Sequence, residues 1–320
     1  MSVLLKIEKL TVAYESGAQR IFAVNNVDLE IFQGEIFGLA GESACGKTTL
    51  ANSILRLIKP PGKILSGKVI FDGVDLLSLR DTELQKIRWE KIAYIPQASM
   101  NALNPVLKVY DQIADVVKAH KKGISQEELR KRTEELFMSV GLSPEVLKMY
   151  PHELSGGMRQ RVIIAMSLIL NPILLIADEP TTALDVVVQR GIVQLLKEIN
   201  KKFGVTILLI THDMAVHAQI VDRMAIMYAG KIVEVGPVRE IYEKPLHPYT
   251  QLLIASIPRA GEKKRLAGIQ GLPPDLRNPP PGCKFHPRCP LKMKERCETE
   301  EPLIMQITDK RGVACHLYNR

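Results

Sequence analysis

Apolar and polar residues alternate along 4–13 and again along 21–31, the period-two pattern of half-buried strands. The stretch Glu35-Ile36-Phe37-Gly38-Leu39-Ala40 is apolar after its first residue and reads as a short buried strand, and 47–58 follows with helical spacing. A strand over 67–72, a charged helix running to Trp89 and a strand over 92–95 that delivers Pro96-Gln97 come next. From 109 to 150 the pattern is helical and strongly charged, with breaks at Gly123 and at Ser143-Pro144, as expected of a small helical subdomain inserted into a larger core. Ile173-Leu174-Leu175-Ile176-Ala177 reads as a buried strand, 186–202 as a helix and 205–210 as a further buried strand. Strands alternating with helices predict an α/β fold, a parallel sheet with helices on both faces.

Between the strand at 35–40 and the helix at 47–58 lies Gly41-Glu42-Ser43-Ala44-Cys45-Gly46-Lys47-Thr48-Thr49, which fits the phosphate-cradling P-loop pattern G-x-x-x-x-G-K-[ST]. Glycine at both ends lets the backbone turn tightly and bring its N–H groups to phosphate oxygens, while the helix N-terminus adds positive potential. Lys47 is expected to reach the terminal phosphates and the Thr48 hydroxyl to hold Mg²⁺. The buried strand at 173–177 runs into Asp178-Glu179, and carboxylates at the mouth of such a strand stand where α/β sheets bind ligands. Asp178 suits Mg²⁺, directly or through water, and Glu179 suits polarising an attacking water. Cys45 reads as a small filler residue, although Lys47 and the helix N-terminus beside it favour a lowered pKa and reactivity toward thiol reagents.

Composition narrows this little further. A chain of 320 residues accommodates one large α/β domain and a smaller appendage. The N-terminus lacks a basic region followed by a long apolar core, and the most apolar stretch, 162–177, is interrupted by Asn171-Pro172, so neither a secretory signal nor a self-inserted membrane span is expected. A net charge of +8 suits an anionic ligand or surface without choosing among them. Much of it lies in runs at 118–122, 130–132 and 263–265 that read as solvated faces. Five cysteines without a signal sequence argue for reduced thiols or a metal site.

Leu154-Ser155-Gly156-Gly157-Met158-Arg159-Gln160-Arg161 reads locally as a serine N-cap opening a helix. It also resembles the signature of ABC-type ATPases, and the order of the motifs around it matches that family over nearly the whole chain. The resemblance implies an ABC nucleotide-binding domain in which Leu154, Ser155, Gly156, Gly157 and Met158 bind the γ-phosphate held by an opposite subunit. It implies further that Tyr14 stacks on adenine, that Gln97 touches Mg²⁺ and the attacking water, that Asp185 in Ala183-Leu184-Asp185 links the subunits, and that His212 reaches the γ-phosphate. His120, His152 and His217 keep ordinary structural readings. Ala44-Cys45 replaces the Gly and Ser that relatives often carry; both residues are small, so wrapping of the loop should survive.

The tail His247-Pro248-Tyr249-Thr250, followed by a Pro-rich approach to Cys283, resembles the C-terminal extension of dipeptide/oligopeptide importer ATPases. Cys283, Cys289, Cys297 and Cys315 lack the C-x₂-C knuckles common in structural zinc sites, and spacing leaves both zinc and an iron–sulfur cluster open. The resemblance implies a [4Fe–4S] cluster. The expected organisation is an ATPase domain over 1–257 with a helical subdomain over about 98–165, a Pro/Gly-rich linker over 258–281 and a Cys-rich, metal-binding region over 282–320. The implied partners are a second ABC ATPase subunit (self or paralogue), two transmembrane permease subunits and an extracytoplasmic solute-binding protein, with no nucleic acid, at the cytoplasmic face of the cell membrane. The implied function is ATP hydrolysis that powers import of peptides or similar small solutes. A soluble ABC-type ATPase of iron–sulfur assembly or DNA repair is the alternative. The short interval between Gln97 and Ser155, with no room for a long coiled coil, weighs against DNA repair, and the HPYT segment weighs against cluster assembly.

Overall fold

The computed structural model describes residues 2–17, 19–121, 123–257 and 268–318, and the chain divides into two compact units, Met1–Ser78 with Ile210–Arg320, and Leu79–Leu209. The first ten residues of the expected linker, 258–267, lie outside the described residues, and the basic run 263–265 lies with them.

The first unit contains an antiparallel sheet in the order Gln19–Phe32, Val3–Ser16, Gly62–Phe71, Val74–Asp75. Ile7 sits opposite Leu29 on one side and Val69 on the other, and Leu5, Ile7, Leu10 and Val12 are buried. Lys9 at φ 47° lies in the register shift between Ile7 and Leu10, and Asn26 at φ 51° lies opposite the next one, between Leu10 and Val12, where the strand pair bulges. The unit's other strands follow the order Met305–Thr308, Arg311–Val313, Lys231–Pro237, Arg223–Tyr228, Ile36–Ala40. Ile36–Ala40 is buried throughout and runs parallel to Arg223–Tyr228, as the apolar pattern predicts. Beyond that pair every connection in this unit is antiparallel, so the predicted parallel sheet is extended by antiparallel strands that the sequence pattern did not reveal. The cause is local. Tyr228 pairs with Lys231 across Ala229 at φ 48° and Gly230 at φ 79°, a two-residue turn with both central residues left-handed, the geometry that suits a tight hairpin.

The cysteine-bearing tail is therefore joined to the sheet of this unit, with Val313 opposite Glu234 and Gly312 opposite Val235. Beneath that junction Arg311 donates to the wholly buried Glu234 at 3.0 Å, and Glu234 also accepts the Leu246 and His247 N–H groups. The helix after the P-loop spans Lys47–Ile54 and stops earlier than the pattern suggests, because Arg56 turns left-handed at φ 51° before the proline pair 60–61.

In the second unit Ile92–Ile95 runs parallel to Leu174–Asp178, which has Thr206–Ile210 on its other side. The charged stretch folds as helices Val109–His120 and Gln126–Ser139 and the 3₁₀ turn Pro144–Lys148, broken where Gly123 and Ser143-Pro144 predict. Helices Asp81–Ile87, Gly156–Leu168 and Val186–Phe203 also belong to this unit, the first ending short of the expected Trp89. Among the described residues no helix is long and apolar enough to cross a membrane.

Candidate nucleotide-binding site

The P-loop leaves strand Ile36–Ala40 at Gly41 and enters helix Lys47–Ile54 through Gly46. Neither end admits a side chain: a Cβ on Gly41 would lie 2.2 Å from the Met227 carbonyl oxygen, and one on Gly46, at φ 109°, 2.0 Å from that of Ala23. Lys47 is buried and folds over the loop, with Nζ 2.8 Å from the Gly41 carbonyl and 2.9 Å from that of Glu42. Ser43 and Ala44 are exposed, and Thr48 and Thr49 are half-buried in the first helical turn. Ala44, at φ 63°, occupies the left-handed region that glycine enters freely. The lowered pKa expected for Cys45 is not found. Burial raises it, outweighing the Lys47 ammonium whose Nζ lies 3.6 Å from Sγ, so the thiol is a packed filler that touches the loop lysine.

Tyr14, near the end of strand Val3–Ser16, brings its hydroxyl to 3.5 Å from Thr49 Oγ1, and its ring occupies the space that a Cβ on Gly62 would need. His212 stands exposed just before helix Met214–Ile220 in the same unit. His247, in the HPYT segment, accepts the Tyr249 N–H on Nδ1 at 3.0 Å and so caps helix Pro248–Ala255. Burial lowers its pKa to about 3, which keeps that acceptor unprotonated.

The second unit carries the remaining motif residues. Asp178 ends strand Leu174–Asp178 fully buried, and the Tyr94 hydroxyl donates to its Oδ2 at 3.3 Å. Burial and the adjacent Asp178 carboxylate raise the Tyr94 pKa, so this phenol remains a donor. Glu179 is left-handed at φ 52°, and its Oε2 accepts the Thr182 hydroxyl at 2.6 Å. Backbone strain at a residue expected to act as a base is the kind that surrounding structure holds at functional sites. Gln97 is exposed immediately after strand Ile92–Ile95. Ser155 caps helix Gly156–Leu168 through Met158 N–H, with Leu154 buried behind it. A Cβ on Gly157 would lie 2.7 Å from Val188, so glycine there permits close approach of helix Val186–Phe203, which Asp185 caps through Val188 N–H. Two positions beyond Gln97, Ser99 donates to the buried Gln160 at 3.1 Å, tying that loop to the signature helix. Tyr94 and Ser99 lie outside the motifs, and Tyr249 entered the sequence reading only as part of the HPYT segment. Tyr94 lies on strand Ile92–Ile95, three residues before Gln97, and that proximity is its one signal in the sequence.

Cys283, Cys289, Cys297 and Cys315 all carry free thiols. Three accept backbone N–H groups from two residues downstream, Cys283 from Phe285, Cys289 from Leu291 and Cys315 from Leu317, and Cys297 Sγ accepts Met293 N–H at 3.4 Å. Burial, with smaller contributions from the neighbouring cysteines, pushes Cys283 and Cys315 up to about 11. Among the described residues no group of three or more His, Cys, Asp or Glu side chains is disposed to hold a metal ion.

Residues 24–182 match the ABC transporter family model, and residues 233–297 match that of the oligopeptide/dipeptide transporter C-terminal region. A dipeptide transport ATP-binding protein of Caldanaerobacter subterraneus is 44% identical, with 99% of this chain and 98% of the relative covered. An oligopeptide transport ATP-binding protein of Bacillus subtilis is 45% identical over 97% of this chain and 87% of its own length. The dimeric post-hydrolysis structure of the ATP-binding cassette MJ0796, bound to ADP and Pi, is 34% identical and superposes with a TM-score of 0.66 over 74% of this chain and 99% of its own. Similarity at this level, along the whole of both chains, makes the protein a member of the ABC transporter ATPases, in the branch of dipeptide and oligopeptide transport ATP-binding proteins.

Proposed function

We propose that this chain is the ATP-hydrolysing subunit that powers uptake of dipeptides or oligopeptides across the cytoplasmic membrane. The observation that carries the reading is the union, in one chain, of an ABC cassette with the C-terminal region of the peptide-transporter branch. Relatives named for dipeptide and oligopeptide transport match it from end to end. In this reading 1–257 is the ATPase domain, with a helical subdomain over about 98–165, followed by a linker over 258–281 and a cysteine region over 282–320. The partners are a second ATPase subunit, two permease subunits and an extracytoplasmic solute-binding protein, and the chain works at the cytoplasmic face.

The glycine-walled loop 41–49 grips the triphosphate, with Tyr14 against adenine. Thr48, Gln97 and Asp178 are the residues that would hold Mg²⁺, which would supply neutralisation of the phosphate charge. Tyr94 holds the Asp178 carboxylate by one oxygen. Glu179, steadied by Thr182, accepts the proton of the attacking water, and His212 reaches the γ-phosphate. Signature residues 154–158 present a helix N-terminus to the phosphate bound by the partner subunit, and Asp185 joins the two sites. Reconstitution with permeases and binding protein tests the whole: a captured peptide should stimulate ATP hydrolysis, and an ATPase that stays soluble and indifferent to those partners would end the reading.

The four cysteines are read as ligands of a [4Fe–4S] cluster, a reading that rests on the resemblance of the tail to the peptide-transporter C-terminal region, with zinc as the alternative. Each of the four sulfurs accepts a backbone N–H, but burial outweighs this at Cys283, Cys289 and Cys315 and keeps those thiols protonated, so a bound metal would have to displace their protons. Anaerobic purification with iron, sulfide and zinc analysis tests this, and stoichiometric zinc without iron would overturn it.

A further inference from the structure

Glu42 is the second residue of the P-loop, and a carboxylate there is out of keeping with a loop that binds a polyanion. Its surroundings resolve the conflict. The guanidinium of Arg288, from the cysteine-bearing segment, clamps the carboxylate from both nitrogens, Nη1 to Oε2 at 2.7 Å and Nη2 to Oε1 at 3.0 Å. The Arg288 side chain is 6% exposed and that of Glu42 23%, so solvent screens the pair only in part. Arg288 is itself held in place. Its Nε donates to the Gln270 carbonyl at 3.0 Å and its Nη1 to the Tyr228 hydroxyl at 3.2 Å. The rest of residue 42 is fixed as well, its N–H by the Tyr249 hydroxyl at 2.9 Å and its carbonyl by Lys47 Nζ. Tyr249, Tyr228 and Phe285 pack as one aromatic cluster, with ring centroids 4.6–5.3 Å apart. Phe285 opens the short 3₁₀ turn His286–Arg288, so the C-terminal segment reaches residue 42 directly through Arg288 and indirectly through Phe285 and Tyr249.

We propose that Arg288 is a positioning residue for the phosphate loop: it neutralises and orients Glu42, so that the cysteine-bearing C-terminal segment sets the affinity of the loop for ATP. Nothing in the motif reading requires this, since a P-loop otherwise binds triphosphate with residues of its own strand–loop–helix unit. The inference rests on ATP binding by this loop, and the wild-type titration is the control that separates failure of that premise from failure of the clamp.

The test is equilibrium ATP binding to the full chain, by calorimetry, for wild type, Arg288→Gln, Arg288→Lys, Glu42→Gln and the double variant Arg288→Gln/Glu42→Gln. One uncompensated carboxylate beside the phosphates should weaken ATP binding of Arg288→Gln by about tenfold at low salt. The deficit should shrink as salt rises. Arg288→Lys, which keeps the charge and loses the fork, should fall between wild type and Arg288→Gln. The double variant should bind ATP as Glu42→Gln does, because removing the carboxylate removes the need for its partner. Wild-type affinity in Arg288→Gln, a salt-independent deficit, or an equal loss in the Glu42→Gln background would each overturn the proposal. If Arg288→Gln does not fold, the comparison of Arg288→Lys with Arg288→Lys/Glu42→Gln carries the same test.

Discussion

Replacing Arg311 with methionine removes the cation from a buried ion pair while keeping much of the side-chain volume. Glu234 is wholly buried, with its carboxylate held by Leu246 and His247 N–H at 2.9 Å each and by Arg311 Nη2 at 3.0 Å. Arg311 also donates to Glu240 at 3.3 Å and to the Lys244 carbonyl. Opposite charges about 4 Å apart at an effective dielectric near 20 attract by ~4 kcal/mol. Methionine forfeits that attraction and strands the carboxylate with two backbone donors, so a loss of about 3–5 kcal/mol is expected, the range for breaking a buried pair from one side. Because the chain has two compact units, a single global unfolding free energy is the wrong quantity, and local hydrogen exchange is the right assay. The amides of Leu246 and His247, and that of Ala314, which bonds the Val233 carbonyl at 2.8 Å, should lose protection by about 10²–10⁴-fold. Adding Glu234→Gln removes the stranded charge and should restore a large part of it. Protection in Arg311→Met within about threefold of wild type, a difference of under 1 kcal/mol, would refute the reasoning.

Glu179→Gln should retain ATP binding and lower turnover by about 10²–10⁴-fold, measured as single-turnover phosphate release in the assembled complex; near-normal hydrolysis would remove Glu179 as the base. Ala44→Val should weaken ATP binding by at least about tenfold, because a β-branched side chain at φ 63° is strained, while Ala44→Gly should bind as wild type does. The His247 pKa falls from 6.5 free to about 3 folded, so the unfolded chain binds a proton that the folded one refuses. Its stabilising contribution is complete above pH ~6.5 and falls by about 1.4 kcal/mol per unit as pH drops toward 3. Protection of helix Pro248–Ala255 should therefore decline more steeply between pH 7 and 4.5 in wild type than in His247→Asn, which keeps a cap acceptor. Equal slopes in the two proteins would exclude His247 as the titrating group.

Much of the local structure of the candidate site was legible because its parts obey local rules. Glycine at 41 and 46, a serine cap at 155 and an aspartate cap at 185 answer to the sterics and orphan N–H groups of a few adjacent residues, and the strands at 36–40 and 174–178 answer to burial on both faces. Those patterns are written within ten residues or so, and a sequence carries them without knowledge of the fold. Tertiary structure decided what depends on distant chain. Whether Cys45 is acidified by Lys47 or suppressed by burial turns on what packs over it, and burial prevails. Strand direction beyond Arg223–Tyr228 was set by one hairpin and by the return of the C-terminal strand to its edge. The clamp on Glu42 joins residues 246 positions apart, so no periodicity or spacing could announce it. Local sterics and hydrogen bonding determined the phosphate grip from the sequence alone, whereas the charge balance around that grip required the folded chain, because a buried charge is neutralised by whichever side chain the fold brings to it.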